Sequence, residues 1–236
     1  MILAAGLGTR LKPFTDNHPK ALAMVNGKSL LQRNVEYLVQ HGITSIIVNV
    51  HHFAEQIISA IALGNGWGAS ISISDETNEV LETGGGLKKA APFFDGDNEP
   101  FVLLNVDILT DLNLNEMLKY HHGENALATL AVSKRVTSRY FLLNQQMVLC
   151  GWENTKTGEQ KIKREAKELH RNAFSGIHII NPNLLKLIQQ QGKFSMVDVY
   201  LDLCSKYLIK GFDQGDCLFI DVGKPESIKM AESMFP

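Results

Sequence analysis

The amino-terminal residues pass from a short apolar strand directly into a glycine-containing loop. Residues 3–10 read L-A-A-G-L-G-T-R, and Pro19 and Lys20 follow on the carboxyl side of Arg10. Glycine has no Cβ, so backbone N–H groups in such a loop can approach phosphate oxygens closely, and successive N–H groups in a turn form an anion-binding concavity. Arg10 adds a forked donor and Lys20 a mobile point charge. The sequence therefore predicts a strand that positions a polyphosphate-binding loop.

Two better-known phosphate loops do not match this segment. The dinucleotide fingerprint needs a third glycine, but Leu11 occupies that position. The P-loop pattern G-x-x-x-x-G-K-[ST] occurs nowhere in the chain. A nicotinamide-dependent Rossmann enzyme would also carry an acidic residue at the end of its second strand, where this chain has Asn49 and His51. A dehydrogenase is therefore disfavoured.

Strand and helix signals alternate through the first half of the chain. Strands are predicted at residues 1–5, 46–50, 69–74 and 101–106, and helices at 30–39, 53–63 and 87–94. Ser29 is placed to cap the first helix, and Gly42 to end it. The almost continuous apolar run at 101–106 is typical of a parallel strand that is covered on both faces. This order predicts a doubly wound α/β sheet.

The second half is richer in strands. We predict strands at residues 127–133, 140–143, 147–151, 174–180 and 218–220, and helices at 182–190, 196–208 and 224–234. The basic stretch at 161–167 is interrupted by glutamates, which favours a solvated helix or loop. A chain of 236 residues is long enough for one complete core. We therefore expect one α/β domain over residues 1–236, with a mixed, mainly parallel sheet and a small β-rich subregion near 125–180.

Composition excludes several function classes. Net charge is −2 and the basic residues are dispersed, which argues against a nucleic-acid surface. No apolar run reaches the roughly 18 residues of a membrane span, and the amino terminus lacks the features of a signal peptide. The three cysteines lie far apart with no C-x-x-C spacing, so we expect neither disulfides nor a zinc site, and a cytoplasmic location fits. The first strand is very short, which raises the question of whether strand residues precede Met1.

Two aspartates follow predicted strands. Asp107 comes directly after the apolar run at 101–106, and Asp221 after 218–220. Ligands bind outside the carboxyl ends of strands in open α/β sheets, and carboxylates with phosphate oxygens and water suit Mg²⁺. The pair therefore predicts a magnesium site, although an aspartate after a strand also commonly caps the next helix. Asp111 is a reserve ligand and is more typical of a turn.

The order of these motifs resembles the sugar-1-phosphate nucleotidyltransferases. The resemblance rests on L-A-A-G-L-G-T-R with P-K, on L-E-T-G-G-G at 81–86, on L-N-V-D at 104–107 and on F-I-D-V-G at 219–223. The glycine-rich string looks most like the branch that contains N-acetylmuramate-1-phosphate uridylyltransferases and mannose-1-phosphate guanylyltransferase-like enzymes. The resemblance covers nearly the whole chain and is weakest at 134–170. Val106 is a departure, because many relatives have glycine there.

The resemblance implies a fold and a reaction. The fold would be a three-layer Rossmann-like nucleotidyltransferase fold, with a nucleotide-binding half near residues 1–124 and a sugar-binding half near 125–236. The reaction would be a Mg²⁺-dependent transfer of a nucleotidyl group from a nucleoside triphosphate, with UTP favoured, to a sugar 1-phosphate. The products would be a nucleoside-diphosphate sugar and pyrophosphate, in a role such as cell-wall sugar recycling. We expect a monomer or homodimer without nucleic-acid or membrane partners.

The resemblance also assigns residues by motif. Arg10, Lys20 and Asp107 would be catalytic, with Arg10 toward the leaving pyrophosphate and Lys20 between the α-phosphate and the sugar phosphate. Asp107 and Asp221 would hold the metal. Nucleotide-binding residues would be Leu3, Ala4, Ala5, Gly6, Gly8, Thr9, Arg10, Lys20, Thr83, Gly84 and Asn105, and sugar-binding residues Asn105, Ser175, Gly176 and Asp221.

Three alternatives stay open at this point. One is a GTP-using mannose- or heptose-1-phosphate guanylyltransferase. Another is a related cytidylyltransferase with a phosphocholine-type acceptor, because it shares the amino-terminal loop. The third is a nucleotide-sugar-binding domain without catalysis, which the retention of Arg10, Lys20 and the strand-end aspartates disfavours.

Overall fold

The computed structural model describes residues 1–96 and 98–236. Its strands are β1 Ile2–Leu3, β2 Met24–Val25, β3 Lys28–Ser29, β4 Ser45–Val50, β5 Ser70–Asp75, β6 Phe101–Asn105, β7 Ile108–Thr110, β8 Ala128–Ser133, β9 Arg139–Leu143, β10 Leu149–Asn154, β11 Glu159–Ile162, β12 His170–Ile180, β13 Ile209–Asp213 and β14 Phe219–Asp221. Its α-helices are α1 Leu30–Gln40, α2 Ala54–Leu63, α3 Glu82–Lys89, α4 Leu114–Glu124, α5 Met196–Leu203 and α6 Pro225–Met234. Short 3-10 turns cover Thr9–Leu11, Phe14–Asp16, Lys20–Leu22, Asn65–Gly68, Ala91–Phe94 and Pro182–Leu187.

The main sheet is mixed. Its strands follow the order β11-β10-β9-β12-β6-β1-β4-β5, and β8 and β13 extend it from β12. Strands β6, β1, β4 and β5 run parallel to one another, as the alternating strand and helix signals predict. The long strand β12 is antiparallel to β6, β8 and β9 and joins this parallel part to the β-rich part. The carboxyl ends of the four parallel strands therefore share one edge of the sheet.

Alternate residues of the central strands enter two separate cores. Ile2 and Leu104 pack with α1, α2 and α4 on one face of the sheet, whereas Leu3 and Leu103 pack with α3 and α5 on the other. Successive side chains of a strand point to opposite faces, so a sheet that buries both sets must be covered twice. This arrangement confirms the predicted three-layer α/β fold. A third, smaller core lies between α6 and the pair β7 and β14.

The first helix begins where the sequence predicts. The Ser29 hydroxyl accepts a hydrogen bond from the Gln32 N–H at 3.1 Å, which satisfies one of the unpaired donors at the helix start. The prediction for the third helix was wrong. It begins at Glu82 rather than at Leu87, so the glycine triplet lies inside α3.

Close packing explains why α3 contains these glycines. The N–H groups of Gly84 and Gly85 both donate to the Phe194 carbonyl, at 2.9 and 3.2 Å. A Cβ on Gly85 would lie 2.3 Å from the Gly192 carbonyl oxygen, a distance that no side chain can occupy. The triplet therefore lets the helix approach the segment before α5, and it does not form the loop before a helix that the sequence suggested.

Helix α4 and the short strands β2, β3 and β7 were not predicted, and several further differences lie in the second half. The basic stretch expected as helix or loop begins with the exposed strand β11. The helix expected over 196–208 ends at Leu203, and the unpredicted strand β13 follows it, paired in parallel with β8. The helix expected over 182–190 is the short turn Pro182–Leu187. Among the described residues, none of the helices combines the length and apolar character that crossing a bilayer requires.

Candidate active site

A cavity of about 450 Å³ opens at the carboxyl ends of the parallel strands. Leu3 ends β1, Asn49 lies near the end of β4, and Asn105 ends β6. The cavity is lined by Leu3, Ala5, Gly6, Leu7, Gly8, Thr9, Lys20, Asn49, Glu76, Val80, Glu82, Thr83, Asn105, Asp107, Lys193 and Ser195. Nine of these sixteen residues were among the predicted site residues. The loop, the β6 end and the start of α3 thus face one another across one space.

The amino-terminal loop forms one wall. It turns back on itself because the Gly8 carbonyl accepts hydrogen bonds from the Leu11 N–H at 2.8 Å and from the Thr15 hydroxyl at 2.9 Å. Gly6, Gly8 and Thr9 line the cavity. Arg10 is not part of the lining, since its side chain is 59% exposed and its Nη2 lies 4.0 Å from Oδ2 of Asp221. Arg10 is therefore placed beside the second aspartate rather than inside the cavity.

Asn49 and Glu76 hold the start of this loop, and sequence reasoning missed both roles. Oδ1 of Asn49 accepts the N–H of Ala4 at 2.6 Å and that of Ala5 at 3.3 Å. Nδ2 of Asn49 donates to Oε1 of Glu76 at 2.7 Å. Both side chains are buried, and burial raises the pKa of Glu76 above its usual value. An asparagine inside the apolar run at 46–50 was the available signal, because a buried amide needs partners.

Lys20 and Asp107 form the most enclosed ion pair of the site. Nζ of Lys20 lies 2.6 Å from Oδ2 of Asp107, and their side chains are only 15% and 11% exposed. The turn Lys20–Leu22 presents the ammonium group, and the end of β6 presents the carboxylate. Charge-assisted hydrogen bonds of this length are the stronger ones. The sequence predicted both residues at the site but not their direct contact.

Asp221 joins this pair, as its position after a strand suggested. Strand β14 pairs with β7, and the Val222 N–H donates to the Asp107 carbonyl at 2.8 Å. Burial raises the pKa of Asp221, and the negative charge of Asp107 raises it further, while Arg10 and Lys20 act in the opposite direction. Two carboxylates that repel each other in this way are suited to share a cation.

The donor set fits a hard divalent ion. Within residues 1–96 and 98–236, no cluster of three or more histidine, cysteine or carboxylate side chains is placed to hold a metal. The chain therefore offers Asp107 and Asp221, and the other ligands would be phosphate oxygens and water, a mixture that Mg²⁺ accepts. Asp111, the reserve candidate, is a turn residue instead: its Oδ1 accepts the Leu218 N–H at 2.7 Å.

The predicted sugar-side residues meet beside Asn105. Oδ1 of Asn105 and Oγ of Ser175 are buried and have no hydrogen-bond partner among the described residues. Gly176 has a φ of +76°, and a Cβ there would lie 2.9 Å from Nδ2 of Asn105, so only glycine fits. The register between β12 and β8 shifts at this point. The arrangement leaves polar groups available where the β-rich part joins the nucleotide half.

Two predicted nucleotide-binding residues, Thr83 and Gly84, lie near the start of α3, and only Thr83 lines the cavity. Thr83 lines the cavity, and its Oγ1 accepts the Met196 N–H at 2.9 Å. Gly84 does not reach the cavity wall, because it packs against Phe194 and gives its N–H to the Phe194 carbonyl. Ala4, Ser175, Gly176 and Asp221 likewise lie outside the lining. The structure therefore brings most, but not all, of the predicted residues to one surface.

Comparisons with known proteins agree with this geometry. UTP–glucose-1-phosphate uridylyltransferase of Synechocystis sp. is 34% identical over 240 residues, which cover 95% of this chain and 60% of that protein. N-acetylmuramate alpha-1-phosphate uridylyltransferase of Neisseria meningitidis serogroup B is 27% identical over 234 residues, covering 99% of this chain and 96% of that one. This chain thus spans about three fifths of the Synechocystis protein and nearly all of the Neisseria protein.

A solved structure and a family model extend the comparison. HddC from Yersinia pseudotuberculosis, in complex with GMP-PN, superposes with a TM-score of 0.78 at 25% identity, covering 100% of this chain and 98% of that one. The family described as nucleotidyl transferase matches residues 1–234. With its strand-end carboxylates, its glycine loop and this match, the chain belongs to the nucleotidyl transferase family.

Proposed function

We propose that this chain transfers a nucleotidyl group from a nucleoside triphosphate to a sugar 1-phosphate and releases pyrophosphate. One observation carries the proposal: the glycine loop, the Lys20–Asp107 pair and Asp221 converge at one end of the sheet. UTP is the favoured donor, since two of the similar proteins are uridylyltransferases by name. Residues 1–124 would bind the nucleotide, and residues 125–236 the sugar.

The reaction needs no covalent nucleophile from the protein. An oxygen of the sugar phosphate attacks the α-phosphorus, the bond to the β-phosphate oxygen breaks, and pyrophosphate leaves with that electron pair. Both reactants are anions, so their mutual repulsion is the main obstacle. The chain reduces it by holding them in line and by fixing cationic and N–H groups around the transferred phosphate.

Different residues of the cavity would bind different parts of the nucleoside triphosphate. The N–H groups of Gly6, Gly8 and Thr9 would bind the triphosphate, and Thr83 would lie on the side of the base and ribose. Lys20 is already fixed by Asp107 at the floor of the cavity, where its charge would offset that of the α-phosphate. Because the ammonium group is positioned before substrate binds, little reorganisation is needed when negative charge develops.

Asp107 and Asp221 would hold Mg²⁺. The carboxylate pair fits such an ion because burial and the negative charge of Asp107 both disfavour a second negative charge at Asp221, and its ion pair with Arg10 is long, at 4.0 Å. When bound, the ion would orient phosphate oxygens and offset their charge. Lys20 contacts Oδ2 of Asp107 and would keep that carboxylate oriented.

GTP is the second candidate donor. The HddC structure holds GMP-PN and covers this chain completely at 25% identity. A mannose-1-phosphate guanyltransferase from Yarrowia lipolytica is 28% identical over 228 residues. The acceptor would then be a mannose or heptose 1-phosphate, whereas N-acetylmuramate 1-phosphate would place the reaction in the recycling of cell-wall sugars.

A pyrophosphate-release assay tests the proposal. The four common ribonucleoside triphosphates and dTTP are crossed with the 1-phosphates of N-acetylmuramate, mannose, glucose, N-acetylglucosamine and heptose, with Mg²⁺ and with EDTA. We expect one donor and one acceptor to stand out and EDTA to abolish release. Absence of release from every pair, with intact nucleotide binding, would instead support a binding domain without catalysis.

A further inference from the structure

A third cationic side chain, outside the lining of the cavity, stands next to Asp221. Arg135 lies between β8 and β9, in the segment where the sequence resemblance is weakest. Its Nη2 donates to the Phe174 carbonyl at 2.5 Å, and its Cζ lies 5.0 Å from the centre of the Phe219 ring. These two contacts fix the guanidinium group from two different strands.

The strand geometry shows which way this group faces. Phe219 and Asp221 are alternate residues of β14, so their side chains lie on the same face of the strand. A guanidinium group over the Phe219 ring is therefore beside the Asp221 carboxylate. Burial lowers the pKa of Arg135, and the nearby negative charge of Asp221 acts in the opposite direction. Arg135 thus belongs to the same electrostatic cluster as the strand-end aspartates.

The other contact points toward the predicted sugar side. Phe174 immediately precedes Ser175 and Gly176, which lie beside Asn105. Oγ of Ser175, Oδ1 of Asn105 and Oγ of Ser133 are buried without hydrogen-bond partners in the described chain. Buried polar groups are normally paired. This side therefore combines unpaired, buried hydrogen-bonding groups with one cation that can meet an anionic ligand.

Arg135 differs from Lys20 and Arg10 in having no carboxylate within 4.0 Å among the described residues. Lys20 is paired with Asp107 at 2.6 Å, and Arg10 stands 4.0 Å from Asp221. In the part of the chain that the structure describes, Arg135 contacts a carbonyl and an aromatic ring and has no carboxylate within ion-pair distance. Its remaining N–H groups keep the planar fork that matches phosphate oxygens.

We propose that Arg135 binds the phosphate of the sugar 1-phosphate, as a binding residue separate from the loop that holds the triphosphate. The proposal rests on the proposed function and identifies a residue that binds the acceptor substrate. Lys20 then neutralises charge at the transferred phosphate, and Arg135 neutralises charge on the acceptor beside Asp221. Two anionic reactants are thereby brought together with one fixed cation each.

Three variants test this role: Arg135→Ala, Arg135→Lys and Arg139→Ala. Arg139 is the matched control, because it is an exposed arginine on the same segment, at the start of β9, and is not the residue that contacts the Phe174 carbonyl and the Phe219 ring. We expect Arg135→Ala to raise KM for the sugar 1-phosphate roughly 10–100-fold, the effect of losing a hydrogen bond to a charged group. KM for the nucleoside triphosphate should stay within about twofold. For Arg135→Lys, KM for the sugar 1-phosphate should lie between the values of the wild type and Arg135→Ala. For Arg139→Ala, it should equal the wild-type value.

The acceptor series distinguishes the phosphate from another anionic group. Glucose 1-phosphate carries no carboxylate, whereas N-acetylmuramate 1-phosphate does. An equal loss of affinity for both supports phosphate binding by Arg135, and a loss confined to the second acceptor overturns it. Equal increases in KM for donor and acceptor would also overturn it.

A binding titration without turnover separates this proposal from the proposed function. Thermal shift or calorimetry with the sugar 1-phosphate alone should show weaker binding to Arg135→Ala and unchanged binding to Arg139→Ala. A wild type that releases no pyrophosphate from any pair refutes the proposed function, and the titration then decides the Arg135 contact alone. Unchanged sugar-phosphate binding by folded Arg135→Ala refutes the contact even if the wild type is active.

Discussion

Replacing Asn49 with alanine should loosen the start of the phosphate loop and destabilise the protein. The Asn49 amide accepts the N–H groups of Ala4 and Ala5 and donates to Glu76, and its side chain is 2% exposed. Alanine would leave the buried Ala4 N–H without an acceptor and the Glu76 carboxylate without this donor.

The magnitude follows from those contacts. An unsatisfied buried N–H costs about 1–3 kcal/mol, and a lost hydrogen bond to a charged group about 1.5–3 kcal/mol. The Ala5 contact is long, at 3.3 Å, and partly exposed, so it contributes little. The sum is about 2.5–6 kcal/mol, and each kcal/mol shifts Tm by about 2–4 °C in a domain of this size. We therefore expect Asn49→Ala to lower Tm by about 5–24 °C.

The same change should impair catalysis. Displacing a substrate-positioning loop by about 1 Å can cost roughly 10²-fold in rate, so kcat/KM for the nucleoside triphosphate should fall about 10–100-fold. Calorimetry measures the change in Tm. The pyrophosphate assay, run at a temperature below the melting transitions of the wild type and of Asn49→Ala, measures the change in kcat/KM. Measuring both separates a loosened loop from simple unfolding.

Thr129→Val provides the matched control. Thr129 Oγ1 lies 2.9 Å from Nδ1 of His121, both residues are buried, and neither lines the cavity. The nearly isosteric valine should lower stability by about 1–2 kcal/mol through one lost hydrogen bond and leave KM unchanged. If Asn49→Ala melts within 2 °C of the wild type and keeps its KM, the role assigned to the amide is wrong.

Three further changes address the charged groups. Lys20→Ala should lower turnover about 10²–10³-fold, the scale of losing one preorganised electrostatic donor, as steady-state pyrophosphate release will show. Asp221→Asn should raise the Mg²⁺ concentration needed for half-maximal activity strongly, since it removes one of two candidate ligands; a metal titration measures this. Burial raises the folded-state pKa of Glu76, so its contribution to stability is present at low pH and is lost as pH rises through that raised value. Glu76→Gln keeps an acceptor for the Asn49 amide without the charge, so the Tm difference between this variant and the wild type should shift in favour of the variant as pH rises above the usual glutamate pKa.

Each of these predictions has its own control or contrary outcome. Lys28→Ala removes an exposed lysine that pairs with Glu36 outside the site, and it should retain full turnover; near-wild-type activity of Lys20→Ala would remove Lys20 from the reaction. Asp111→Asn keeps the Oδ1 atom that accepts the Leu218 N–H, so its Mg²⁺ titration should be unchanged. A Glu76→Gln variant whose Tm follows the wild-type pH profile in parallel would show that Glu76 does not titrate in this range.

The sequence predicted those features that local pattern controls. Ser29 caps α1 because a hydroxyl before an apolar helix satisfies a free N–H, and the strands at 46–50 and 101–106 are recognisable from their short apolar runs. Asp107 and Asp221 were predicted as neighbours because each was expected at the end of a strand of one sheet, but the structure brings them together through β14, which pairs antiparallel with β7 outside the main sheet. The limits of α3 were not predictable, since glycine is a poor helix former and here serves packing against residues from the next segment.

By itself, then, the sequence determined the loop, the alternation of strands and helices in the parallel part and the identities of the acidic and basic groups. Only the tertiary structure decided which of them touch: Asn49 with Ala4, Lys20 with Asp107, and Arg135 with the carbonyl of Phe174. These pairs lie 45, 87 and 39 residues apart along the chain. Propensity and hydrophobic period act over a few residues, whereas contacts at such separations depend on how the layers pack, and packing is a property of the whole fold.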